Sequence, residues 1–139
     1  MPHLFTYGSL MCPEIMERVA GRHAASTPAT LHHFRRSRLQ DLDYPGIFPD
    51  DASRVAGILY LDLSEEAIGR LDDFEGEQYL RLTVTVELDD GHTQPAMAYV
   101  LKERYRPLAT GEEWDFATFL AEGKKHFLAT YCGFATLPG

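Results

Sequence analysis

Residues 81–88, RLTVTVEL, and 96–102, AMAYVLK, are two runs of strand formers joined by DDGHTQP, a segment with turn chemistry. Neighbours joined this closely suit antiparallel pairing, and that pairing narrows the fold more than any other feature. The remaining pattern is organised around it. HLFTYG (3–8) reads as a short strand closed by glycine, and RVAGILYLDL (54–63) as a longer one. CPEIMERVAG (12–21) reads as a helix, with Pro13 near its first position and Gly21 at its end. Residues 28–40 mix strand and turn signals, and DYPGIFPDD (43–51) reads as a loop punctuated by Pro-Gly and a second proline. A carboxy-terminal helix is expected over 113–131, weakened by Gly123. Strands outnumber helices. The expectation is an α+β fold, one domain over 1–139, on a mixed or antiparallel sheet open or closed into a small barrel.

Charge and motif content exclude several functions. The chain carries 21 acidic against 13 basic residues, a formal charge of −8, without a long basic run. Such a chain is poorly suited to nucleic acid or an anionic membrane. Its densest basic group, Arg35, Arg36 and Arg38, reads as solvated residues beside a strand. No stretch reaches the ~20 apolar residues of a membrane span, and the amino terminus lacks a signal-peptide pattern, so a soluble, cytoplasmic protein is expected. Cys12 and Cys132 form neither a disulfide framework nor a zinc spacing. Cys12 has no neighbouring His or Asp to activate it. His32 and His33 are expected on alternate faces of a strand. The absence of HExxH, GxGxxG and Walker-type loops removes support for a metal site or a nucleotide fold.

The helix before residue 76 contains an anomaly. Ser64 is a good N-cap, Glu65 and Glu66 suit the helix dipole, and Leu63 and Ile68 sit at hydrophobic-staple positions. Ala67, Ile68, Leu71 and Phe74 mark one apolar face. At roughly 100° per residue, Glu75 falls about 50° from the centre of that face, whereas Asp73 lies opposite and Asp72 near the boundary. Gly76 supplies a stop. Two readings stay open: Glu75 swings to water or pairs with Arg81, or it is a partly desolvated carboxylate suited to exchanging a proton.

At the other end of the chain, TYGSLM places Gly8 and Ser9 between a strand and a helix. Exposed amides in such a turn can cradle a carboxylate or an oxyanion, although plain structural turns of this kind are common. Ser9 lacks the GxSxG elbow of a serine hydrolase.

FTYGSL, YPGIFP and LDDFEGEQYLR, in that order, resemble the gamma-glutamylcyclotransferase-like family across nearly the whole chain. GEEWDF (111–116) resembles its plant avirulence-induced-gene branch, which includes gamma-glutamylamine cyclotransferase-like proteins. The resemblance implies a small mixed, mostly antiparallel β-barrel with flanking helices and a cavity at one end. It implies that Tyr7, Gly8, Ser9 and Leu10 hold the substrate and that Glu75 is the general acid/base. Tyr44 and Tyr79 stand as pocket walls or as ordinary packing, and Trp114 as a core anchor. The implied reaction releases 5-oxoproline from a γ-glutamyl amine or γ-glutamyl peptide, without metal or organic cofactor. The extended motifs expected of the glutathione-specific branch are lacking. A small-molecule or protein-binding module that keeps the pocket without turnover is the alternative.

Overall fold

In the computed structural model, which describes residues 2–21, 23–42 and 44–123, five strands close into a barrel in the order β1-β3-β2-β4-β5. These are β1 (Leu4–Thr6), β2 (Ser26–Arg38), β3 (Pro45–Tyr60), β4 (Tyr79–Leu88) and β5 (Thr93–Leu101). The hairpin expected from the sequence forms with Tyr79 opposite Leu101 and Glu87 opposite Thr93, and its turn carries Gly91 at φ 88°. All neighbours are antiparallel except β1 and β5, which meet in parallel at Leu4 and Met97. The fold is thus the mixed barrel with flanking helices that the family resemblance implies.

Alternation along each strand divides the core in two. Phe5, Leu31, Ile47, Val55, Leu59, Val86 and Val100 fill the barrel interior. Leu4, Tyr60, Tyr79, Tyr99 and Leu101 form an outer layer against helices α1 (Pro13–Ala20) and α2 (Glu65–Glu75). Helix α1 places Ile15, Met16 and Val19 on this layer and ends at Gly21 in the left-handed region. Helix α2 adds Ala67, Ile68 and Leu71. The Ser64 hydroxyl accepts from the Ala67 N–H at 3.0 Å, and Leu63 and Ile68 are both buried, so cap and staple form as the local sequence requires.

Four local readings need correction. The expected loop at 43–51 is largely strand: Pro45 to Pro49 pair with Arg38 to Phe34, and Ile47 is fully buried in the barrel. The prolines are tolerated because Pro45 opens the strand and Pro49 sits beside a register shift. That shift lies between His32 and Phe34, where His33 adopts φ 68°. A bulge breaks the alternation, so His32 and His33 are both exposed rather than on alternate faces. The strand expected over 54–63 ends at Tyr60, since Asp62 turns the chain with φ 54°. Of the helix expected over 113–131, the described part begins at Phe116, capped by Asp115, which accepts from the Thr118 N–H at 2.9 Å. It continues in wider turns over Phe119–Gly123. The rest of that expectation, with Cys132, lies outside the described residues. No helix among the described residues is long and apolar enough to cross a membrane.

Candidate active site

Strand β1 delivers Tyr7 to one end of the barrel, and the chain then tightens into a single 3₁₀ turn over Ser9–Met11. Every carbonyl of Tyr7–Leu10 has a donor inside the protein. Arg36 Nη1 donates to Tyr7 O at 3.0 Å, Met11 N to Gly8 O at 2.9 Å, Cys12 N to Ser9 O at 3.1 Å, and the Tyr60 hydroxyl to Leu10 O at 2.9 Å. The amides of Gly8, Ser9 and Leu10 have no acceptor among the described residues. The turn therefore keeps its negative ends occupied and its positive ends available, the arrangement that suits an anionic guest.

Gly8 is required by a close approach and not by an unusual φ, which is −134°. A Cβ built there would lie 2.7 Å from Cδ of Pro45. Tyr7 itself is buried and donates its hydroxyl to the Tyr99 carbonyl. Burial, reinforced by the nearby Glu75 carboxylate, raises the Tyr7 pKa well above the usual phenol value, so this hydroxyl remains a donor.

Glu75 ends α2, and Gly76 halts the helix at φ 76° with its N–H on Asp72 O. The residue keeps partial exposure, but burial of the carboxyl pushes its pKa from 4.5 up to about 8. No hydrogen bond or ion pair to this carboxyl is formed among the described residues. The alternative pairing with Arg81 is not made: Arg81 Nη1 sits 2.7 Å from Asp72 Oδ2, and the Tyr99 hydroxyl donates to Asp72 Oδ1 at 2.7 Å.

Although 65 residues separate Glu75 from Leu10, both border one narrow cleft enclosing about 400 Å³, its open mouth included. Tyr7, Gly8, Ser9, Tyr44 and Tyr79 line it as well, so all seven residues singled out from the sequence come together. Tyr79 is fixed by donating to Pro45 O at 2.7 Å, and Tyr44 by donating to Gln78 Oε1 at 3.3 Å. The sequence reading missed Phe5, Thr6, Pro45, Phe74 and Tyr99 as lining residues. Tyr99 carried a signal, a polar-tipped ring inside the apolar run AMAYVLK, but periodicity alone cannot tell which face of β5 meets a cleft. Cys12 is buried in the outer core layer, and Trp114 packs on Phe119 with ring centroids 5.5 Å apart, as a core anchor should. Among the described residues no cluster of His, Cys, Asp and Glu could hold a metal ion.

Residues 4–116 match the family model described as "Gamma-glutamyl cyclotransferase, AIG2-like". The chain is 35% identical over 126 residues to AIG2-like protein C of Arabidopsis thaliana, covering 90% of this chain and 73% of that protein. A solution structure of an Arabidopsis thaliana protein is similar with a TM-score of 0.74 and 29% identity, covering 94% of this chain and 87% of that one. A structure described as a gamma-glutamyl cyclotransferase shares the fold at a TM-score of 0.65, with 16% identity over 98% of this chain and 87% of its own.

Proposed function

This chain belongs to the AIG2-like gamma-glutamyl cyclotransferase family, and from that premise we propose that it releases 5-oxoproline from a γ-glutamyl amine or γ-glutamyl peptide. The observation that carries this reading is the placement of one desolvated carboxyl, unpaired among the described residues, and one amide-bearing turn on the same cleft. In the reaction the substrate's α-amine attacks its own γ-carbonyl. A carbon–nitrogen bond forms to close the five-membered lactam, and the bond to the leaving amine breaks.

The nucleophile is tethered, so holding the chain folded supplies the proximity term. The Tyr7–Leu10 turn would grip the substrate through the amides of Gly8, Ser9 and Leu10, which have no acceptor among the described residues, and ring faces of Tyr44, Phe74 and Tyr79 would pack on its methylenes. Glu75 takes a proton from the α-ammonium and returns it to the departing nitrogen, and the second proton shed as the lactam N–H forms ends on the leaving amine as its ammonium, leaving the carboxyl as it began. Its raised pKa matches both halves of that task. In the empty cleft at neutral pH the carboxyl largely holds its proton, and a bound α-ammonium would draw it back toward ionisation. The described lining contains no Lys or Arg, which favours a leaving group without its own carboxylate, hence a γ-glutamyl amine ahead of a peptide.

The test is incubation of the purified protein with a panel of γ-glutamyl amines and dipeptides, following 5-oxoproline. Turnover of at least one amine is the expected result. Binding of 5-oxoproline with no turnover of any panel member would replace the enzyme by a binding module that keeps the family pocket.

A further inference from the structure

The basic group Arg35, Arg36 and Arg38 does not behave as a uniformly solvated cluster. The Arg38 side chain is 55% exposed and that of Arg36 only 14%. Arg36 Nε and Nη2 both reach Glu113 Oε1, at 2.9 and 2.7 Å, and its guanidinium lies 5.5 Å from the Trp114 ring centre. Its remaining arm, Nη1, turns away from this segment to the Tyr7 carbonyl at 3.0 Å, with a looser approach to Ala56 O at 3.4 Å. Of the four turn carbonyls, the Tyr7 carbonyl alone is held by a charged side chain. The Leu10 carbonyl receives a neutral hydroxyl, and the other two receive amides.

The geometry points to Arg36 as a positioning residue that polarises the Tyr7–Gly8 peptide and so strengthens the Gly8 N–H as a donor for the substrate. This role rests on the reading of the cleft as a cyclotransferase site. Its physical basis is that the C=O and N–H of one trans peptide point in opposite directions. A guanidinium on the carbonyl draws electron density toward itself, and hydrogen bonds arranged in series strengthen one another. The Gly8 amide has no acceptor among the described residues, and Gly8 lines the cleft, so the polarisation is available to a guest. Glu113 and Trp114, from the GEEWDF segment, hold the guanidinium in place. Glu113, 65% exposed, shares part of its charge. A motif without an obvious chemical part is thereby tied to the turn at the opposite end of the chain.

The experiment compares Arg36→Met with Glu113→Gln by the amide resonance of Gly8 in the ligand-free protein, beside 5-oxoproline titration. In Arg36→Met the Gly8 ¹⁵N signal moves upfield, and 5-oxoproline binds roughly tenfold more weakly, a smaller loss than deletion of an oxyanion donor itself. In Glu113→Gln the guanidinium is less neutralised, so the signal moves downfield and binding holds or tightens. A purely structural pair predicts shifts of the same sign in both variants, or none, and either result overturns the inference. Should Arg36→Met fail to fold, the exposed Glu113→Gln decides alone: a downfield Gly8 shift upholds the inference, and an unchanged or upfield one ends it. These resonances need no ligand, so failure of the unaltered protein to bind 5-oxoproline would defeat the functional reading separately.

Discussion

Asp72 and Glu75 stand less than one turn apart on α2, yet they belong to different regions of the molecule. Asp72 lies on the flank, with its side chain 43% exposed, and uses both oxygens, one on Arg81 and one on Tyr99. Glu75 lies at the helix end over the cleft, where burial pushes its pKa up to about 8 and no side chain offers it a partner among the described residues. The flank spends its carboxylate on structure; the cleft leaves one able to change its proton. Helix phase and the supply of partners decide which residue does which, since both are acidic and nearly adjacent.

The comparison breaks most visibly at Glu75. Glu75→Gln keeps the shape and removes proton exchange, so single-turnover formation of 5-oxoproline should fall by roughly 10²–10⁴ while 5-oxoproline still binds. Near-normal turnover in that variant takes Glu75 out of the mechanism. The pH dependence sharpens the same point. For the unaltered protein kcat/KM should rise with pH through a limb near the free-enzyme value of about 8, and Glu75→Gln should lack this limb.

Stability carries the opposite sign. The folded pKa is raised from 4.5 to about 8, so any contribution of protonated Glu75 is intact below pH 4.5 and is lost as pH rises toward 8. Thermal unfolding at pH 5 and pH 8 should therefore show Glu75→Gln gaining on the unaltered protein at the higher pH. A gain equal at both pH values would mean that the carboxyl is not desolvated.

On the opposite wall, Gly8→Val should lose about 1–3 kcal/mol of stability, because its side chain meets the Pro45 ring. A side chain at this position also obstructs the close backbone approach of a guest, so binding suffers as well. The Pro45 contact makes both losses part of one displacement, and unfolding measured beside 5-oxoproline titration should find the two together. The smallest effect belongs to the flank. Arg81→Met breaks an ion pair whose partners are 34% and 43% exposed, so it should cost at most about 1 kcal/mol and leave turnover within a few-fold. A hundredfold loss of turnover there would erase the distinction between the two carboxylates.

What could be read in advance had short-range causes. Ser64, the Leu63–Ile68 staple and Gly76 fix α2 through contacts spanning a few residues, so the inward phase of Glu75 is visible without coordinates. The hairpin of β4 and β5 is legible for the same reason: its two strands and its turn are contiguous. The strand character of residues 45–49 was not, because two prolines and a glycine imitate a loop until Arg38 to Phe34 are seen alongside. Arg36 was misjudged for a related reason. Charge and neighbours suggested water, but its partners Tyr7, Glu113 and Trp114 lie far away along the chain.

The sequence by itself determined helix α2, the β4–β5 hairpin, the unusual carboxylate and, through ordered motifs, the family. Only the tertiary structure decided that Glu75 finds no partner among the described residues while Asp72 takes Arg81 and Tyr99. It also decided that Pro45 crowds Gly8, and that a guanidinium from β2 holds the Tyr7 carbonyl. Periodicity encodes which way a side chain points from its own element. Which groups await it there depends on barrel closure, which brings β1, β3, β4, β5 and the end of α2 to one cleft.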